Sequence, residues 1–343
     1  MDAVTRTRVR LTDIAAACGV STSTVSYVLA GKASERGLSN ETVERVSAVA
    51  NDLGYVRNRS ARALRRGRTS TVVLFYEPPM NRFVERYLLR AARMLQRHGL
   101  QILALPVIDG DIRIITDALR SGICDGGIVS ISRDQLARLF EALPTPPLPT
   151  VILGADKGDP KGYDQVHYEE YDAVVETLGT LVDRGSRTIA MAAQEADPAR
   201  ARRSVRWRAY EDFQRRRGAE PILLMHVDSS IPSAFEQAVR RLPDLRARDL
   251  LPDTVYCGAD RVAIGLAMAA SQLGIRVPEE LSIVGTGNSS DALRLEQPLT
   301  SVGLSDESID AVLAALIARL ADPAPPASVI TERWRLFPRR TTR

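Results

Sequence analysis

Apolar residues first recur at helical spacing and then, from Thr71, gather into short β-branched runs. Ile14 and Cys18 lie four apart on one side of a predicted helix, capped by Thr12 and running from Asp13 to about Cys18. Gly19 permits a sharp turn, and Ser21 then caps a second helix from Thr22 to Leu29. Its Val25, Val28 and Leu29 turn inward, its Thr22, Ser23, Ser26 and Tyr27 face out, and Gly31 ends it. A third helix starts from a Ser39 cap, closes a small core with Val43, Val46, Ala50 and Leu53, and stops at Gly54. Two short helices joined by a tight turn, braced by a third, form a helix-turn-helix.

Beyond Thr71 the runs "TVVLFY", "QILALPV", "GGIVSI", "TVILGA", "TIAMAA", "ILLMHV", "TVYCGA" and "LSIVGTG" read as strands. Amphipathic helices such as Phe83 to His98 and Asp172 to Arg184 separate many of them. Strands alternating with helices predict an α/β core with mostly parallel sheets. In the helix from Phe83, Val84, Leu88, Ala91 and Leu95 line up as a face for core and dimer contacts. Proline-rich "PTPPLP" and "LADPAPPAS" mark loops.

Charge separates the two regions further. Residues 1–68 hold 12 Lys and Arg against 6 Asp and Glu, a net of +6, whereas the rest of the chain is close to neutral at −2. Six of those arginines fall between Arg57 and Arg68, the footprint expected of phosphate binding. The chain's 343 residues suffice for two or three domains, and 45% hydrophobic with 26% charged content is ordinary for a globular protein. No run approaches the roughly 18 apolar residues of a membrane span, and the N-terminus lacks a signal-peptide pattern, so a cytoplasmic protein is expected. Cys18, Cys124 and Cys257 are odd in number and far apart, which predicts buried, reduced thiols and no metal site.

The second helix offers small hydroxyl side chains in its first turn, suited to close approach to DNA phosphates and base edges. Downstream, "NRSARALRRGR" allows Asn58 to cap a helix of about seven residues ending near Arg65, too short to be stable alone. The stretches "LTDIAAACGVSTSTVSYVLAG" and "LSNETVERVSAVANDLGYVRNRSARAL" resemble the DNA-binding headpiece of the lactose-repressor (LacI) family, over residues 11–64. The resemblance implies that Thr22, Ser23 and Tyr27 meet base edges, while Ser21, Thr24 and Ser26 serve phosphates or the cap, with Thr12 joining the DNA-contacting set. Tyr27 stands where an arginine is common, which removes the usual bidentate reader of guanine. The same resemblance makes Asn58, Arg59, Ala61, Arg62 and Leu64 parts of a hinge helix that folds on the operator. In that role Ala61 allows two hinge helices to approach and Leu64 is the minor-groove wedge. Arg57 replaces a proline often found there, leaving the chain before the hinge less restricted.

The resemblance extends to the remainder as a periplasmic-binding-protein-like core of two subdomains with a cleft between them. It is carried by "GICDGGIVS", "RRSVRWRAYEDF" and "GADRVAIGLAMAASQLGIRVPEELSIVG". The expected organisation is an all-α headpiece over residues 1–57, a hinge and linker over 58–68, and the α/β core over 69–343. The first subdomain is placed at about 69–165 and 297–327, the second at about 166–296 and 328–340. Asn81, Arg203, Trp207, Asp260 and Asn288 are the candidate effector-binding residues, with Arg203 as the main charge. Gly154, Ala259 and Gly287 stand where Asp, Asn and Asp are frequent in sugar-binding relatives, so the expected effector is other than a neutral sugar, or absent. No heptad helix follows "RWRLFPRRTTR", which favours a homodimer on a pseudo-palindromic double-stranded DNA operator.

Two other classes compete with a homodimeric, DNA-binding repressor modulated by a small molecule. The chain lacks H-E-x-x-H, G-x-S-x-G and a Walker loop, and His98, His167 and His226 are scattered, so no catalytic group, cofactor or metal is expected. "GTGNSS" resembles a dinucleotide loop without its third glycine, a weak sign of a nucleotide-binding enzyme with a DNA-binding appendage. A transport-type binding protein would share the core but carry a signal peptide and no headpiece.

Overall fold

The computed structural model describes residues 9–55, 67–78, 80–155, 162–228, 230–322 and 325–343. The chain separates into two compact units, residues 1–69 and 70–343.

The first unit holds α1 (Leu11–Cys18), α2 (Thr22–Leu29) and α3 (Asn40–Asp52). Ile14, Ala15, Cys18, Val25, Val28, Val46 and Ala50 form its buried core. Leu29 and Val43 pack against it half-buried, whereas Leu53, expected in the core, is 42% exposed because it lies past the last turn of α3 as its C-cap. Thr12 is not the cap of α1: the helix begins two residues earlier, after Arg10. The Asp13 side chain reaches back to accept the Arg10 N–H at 2.7 Å, so a carboxylate in the first turn does the work expected of the threonine. Gly19 takes a left-handed conformation (φ 63°) and lets Val20 N–H return to the Ala15 carbonyl. Ser21 and Ser39 cap α2 and α3 as expected, accepting from the N–H groups of Thr24 and Thr42.

The second unit is built on two six-stranded sheets. The first carries β1 (Thr71–Tyr76), β2 (Gln101–Pro106), β3 (Gly126–Ser130), β4 (Thr150–Leu153), β5 (Asp164–Glu169) and β11 (Val329–Arg333), in the order β11-β5-β4-β3-β1-β2, all parallel. The second carries β6 (Ile189–Ala193), β7 (Ile222–His226), β8 (Thr254–Cys257), β9 (Ser282–Thr286), β10 (Thr300–Gly303) and β12 (Arg335–Phe337), ordered β12-β10-β9-β8-β6-β7. Only β12 among these strands runs antiparallel to its neighbour. Helices α4 (Arg82–Arg97), α5 (Arg113–Arg120) and α6 (Arg133–Ala142) belong to the first half, and α7 (Glu170–Asp183), α8 (Pro198–Arg203), α9 (Val205–Arg216), α10 (Ile231–Ala247), α11 (Asp260–Gln272) and the short α12 (Ser290–Leu293) to the second. A last helix, α13 (Asp306–Ala321), packs on α4.

The chain therefore crosses between the sheets at Glu169–Glu170, at Leu304–Ser305 and at Trp334, each later than the expected points near 165, 296 and 327. The reason is that β5, β10, β11 and β12, which flank the crossings, carry polar or alternating sequences such as "DQVHYE" and "VITER" without an apolar run. On α4, Tyr87 takes the core position expected of Leu88, joining Val84, Ala91 and Leu95, because the buried face follows a 3-4-4 step. The three cysteines are unpaired and buried. Among the described residues no helix is long and apolar enough to cross a membrane.

Candidate DNA-contacting helix and effector cleft

On α2 the core positions and the outward positions separate cleanly. Val25 is fully buried and Val28 nearly so, which fixes the helix roll, while Ser21, Thr22 and Ser23 are exposed and Thr24, Ser26 and Tyr27 half-buried. The Ser21 and Thr24 hydroxyls lie 2.9 Å apart and serve the cap, so Thr22 and Ser23 are the hydroxyls presented outward in the first turn. One turn on, Tyr27 does not stand alone: the Arg36 guanidinium carbon lies 4.6 Å from its ring centroid. Thr12 is exposed on α1 beside Asp13. Asn58, Arg59, Ala61, Arg62 and Leu64 lie outside the described residues.

In the second unit, the loops at the carboxyl ends of parallel strands face the crossings, where open α/β sheets hold ligands. The arginine brought there is Arg206 and not Arg203. Ser204 ends α8 and caps α9, its hydroxyl accepting from Trp207 N–H, and this break leaves Arg203 exposed while Arg206 starts a new helical register. Arg206 donates to the Glu170 carboxylate, to Gln194 Oε1 at 2.8 Å and to the Gly258 carbonyl at 2.5 Å. Its guanidinium also lies 5.2 Å from the Trp334 ring centroid. Burial works against the Arg206 charge, yet the attraction and hydrogen bond of Glu170 hold its pKa above the ordinary arginine value. Glu170 sits at the first crossing and Trp334 at the third, so Arg206 ties two of them together.

Asp260 and Asn288 are brought together, but into a closed hydrogen-bond network. Asp260 is 3% exposed and accepts from Ser301 Oγ and from Ser289 N–H, both at 2.6 Å. Burial pushes its carboxyl above the ordinary aspartate value, opposed by those two serines and by Arg339. Asn288, at φ 49°, donates from its backbone N–H to Ser301 Oγ and from Nδ2 to the Leu304 carbonyl, and accepts from Arg339. Gly287 adopts φ 123°, a conformation that an aspartate there would strain. At the second crossing Arg86 donates to the carbonyls of Asn288 and Leu304, at 3.1 Å each, and to Asp306.

Asn81, in the loop after β1, and Trp207 join neither of these networks. Asn81 caps α4, its Oδ1 accepting from Val84 N–H at 2.9 Å. Trp207 is 2% exposed within the main core, 5.5 Å from the Tyr210 ring. Sequence reasoning thus missed Glu170, Gln194, Arg206, Ser301 and Trp334; the signal within reach was Ser204, a cap residue that divides the arginine run.

Residues 10–58 match the model of the bacterial regulatory proteins of the lacI family, and residues 178–342 match that of a periplasmic binding protein-like domain. The HTH-type transcriptional regulator CelR of Thermobifida fusca is 29% identical over 91% of this chain and 92% of its own length. The PurR repressor of Vibrio cholerae is 27% identical over 84% of each chain. Among solved structures, a Lac repressor dimer bound to operator and the anti-inducer ONPF superposes with a TM-score of 0.72 at 21% identity, covering 98% of this chain and 99% of that one. A CelR–cellobiose complex gives 0.61 at 24% identity, covering 97% and 100%.

Proposed function

Since this chain belongs to the LacI family of DNA-binding transcriptional regulators, we propose that it is a homodimeric repressor that reads a pseudo-palindromic operator with α2 and is modulated through the cleft of its core. The observation that carries this reading is α2 itself, whose roll is fixed by Val25 and Val28 and whose exposed Thr22 and Ser23 face away from the core. Tyr27 contributes at the same face, Thr24, Ser26 and Ser21 brace the first turns, and Thr12 adds a contact from α1. Asn58, Arg59, Ala61, Arg62 and Leu64 supply the hinge. The test is selection of genomic fragments by the full chain followed by footprinting. Two protected half-sites related by a dyad support the proposal; a single unsymmetrical footprint or equal affinity for random DNA refutes it. Leu64→Ala is expected to weaken operator binding more than binding to random DNA, because a wedge gains only where the duplex kinks.

The effector is expected to differ from a neutral sugar. A sugar hydroxyl leaving water needs donors and acceptors. Gly154, Ala259 and Gly287 offer no polar side chains, and Asp260 and Asn288 are engaged internally. A second reading, a regulator that needs no effector, is favoured by Arg206, whose donors already meet Glu170, Gln194 and Gly258. A thermal-shift screen of sugars, sugar phosphates and organic acids decides, with cellobiose included because CelR was solved with it. Stabilisation by a neutral mono- or disaccharide, with release from operator, would overturn the expectation.

A further inference from the structure

The family reading leaves a gap at Tyr27, where a phenol replaces the side chain that would read guanine. A guanidinium nevertheless lies at that point. We infer that Arg36, stacked on Tyr27, is the guanine-reading residue of this headpiece and that Tyr27 acts as its platform. The inference rests on the DNA-binding role of α2.

Three features support it. Arg36 closes a short 3₁₀ turn, Ser34–Arg36, whose flanks are anchored: Leu38 N–H bonds to the Ala33 carbonyl, and both side chains pack against the headpiece core. The arginine is therefore carried on a fixed turn between α2 and α3. Second, stacking on an aromatic ring uses the guanidinium face and leaves its in-plane N–H donors at the edge. Those donors form the fork that matches guanine O6 and N7. Third, the neighbouring carboxylate is drawn elsewhere, since Glu35 faces Lys32 at 3.8 Å, and Arg36 itself is exposed. A tyrosine at this position thus changes the origin of the guanidinium, which comes from the following turn instead of from the helix.

The test is binding-site selection by the full chain with Arg36→Ala, Tyr27→Ala and Tyr27→Phe, with thermal melts as folding controls. Arg36→Ala and Tyr27→Ala are expected to lose preference for the same guanine in each half-site and to weaken the operator about 5- to 150-fold. Tyr27→Phe keeps the ring and is expected to keep the motif. If Arg36→Ala instead weakens operator and random DNA alike and lowers the salt slope by about one, Arg36 is a phosphate contact and the inference is wrong. If Tyr27→Phe changes the motif, the phenol reads the base and the inference is again wrong. A wild-type chain that selects no motif would refute the DNA-reading premise and this inference with it, a pattern distinct from the other two.

Discussion

The outward face of α2 and the crossings between the two sheets of the core both carry candidate binding residues, yet they differ in what those side chains already touch. On α2, Thr22 and Ser23 stand exposed in the first turn, and the exposed Arg36 places its guanidinium carbon 4.6 Å from the Tyr27 ring centroid. Near the crossings of the core, Arg206, Asp260 and Asn288 each make two or more hydrogen bonds within the chain. A free donor or acceptor costs little at a wet surface, whereas a buried one must be satisfied. The first region leaves its polar groups open to solvent; the second already supplies its own partners. Residue identity is a weak guide to a binding role until the neighbours are known.

The largest expected effect lies at the crossings of the core. Arg206 and Glu170 are both mostly buried, at 18% and 17% side-chain exposure. Removing one member of such a pair leaves the other charge unpaired, so Arg206→Ala is expected to destabilise the core by about 3–5 kcal/mol. The double variant Arg206→Met/Glu170→Leu is expected to recover part of that loss, because neither member of the pair is left buried without the other, although Glu195 still loses the attraction of Arg206. Chemical denaturation of the three proteins checks this. A single variant as stable as wild type would break the comparison, since Arg206 would then be as free as the hydroxyls on α2.

Next in size is the DNA face. Ser23→Ala is expected to cost about 1–3 kcal/mol in operator binding if its hydroxyl meets a base edge. It should leave the headpiece melt unchanged, because the side chain is exposed and bonded to nothing in the core. Titration of operator and random duplexes, with the melt alongside, separates the two. A lowered melting temperature with unchanged operator preference would assign Ser23 to the fold.

How much of this was legible in the sequence follows the same division. Most of the headpiece was readable, since Val25, Val28, Val46 and Ala50 repeat at helical spacing and Ser21 and Ser39 are capping residues with a local job, whereas Leu53 lies just past the end of α3 and Thr12 inside α1. The apolar strands were readable for the same reason. The strands at the crossings were not: β11 alternates exposed and half-buried positions at a sheet edge, and its pairing with β5 is set by distant chain. Arg203 and Arg206 could not be separated by composition within "ARARRSVRWR"; the helix break at Ser204 decides which one faces Glu170. Arg36 went unread because its contact with Tyr27 crosses a turn that has no period.

The smallest expected effect concerns an ion pair more open to water than the one at Arg206. Arg90 on α4 binds Asp310 on α13 at 2.5 Å, with side-chain exposures of 25% and 41%. The hydrogen bond from Arg90 holds the Asp310 carboxyl below its ordinary value of 3.8, against an opposing contribution from burial. A depressed carboxylate pKa stabilises the fold above the unfolded value, and that contribution is lost as pH falls through the folded one. Solvent screening limits it to under about 1 kcal/mol. Wild type and Asp310→Asn are therefore expected to differ slightly between pH 6 and 7 and to converge as the pH drops below 3.8. Denaturation curves across that range check the sign. A difference that stays constant in acid would mean that Asp310 acts through packing and not through its charge, leaving Asp306, which also meets Arg90 at 2.6 Å, to hold α4 on α13.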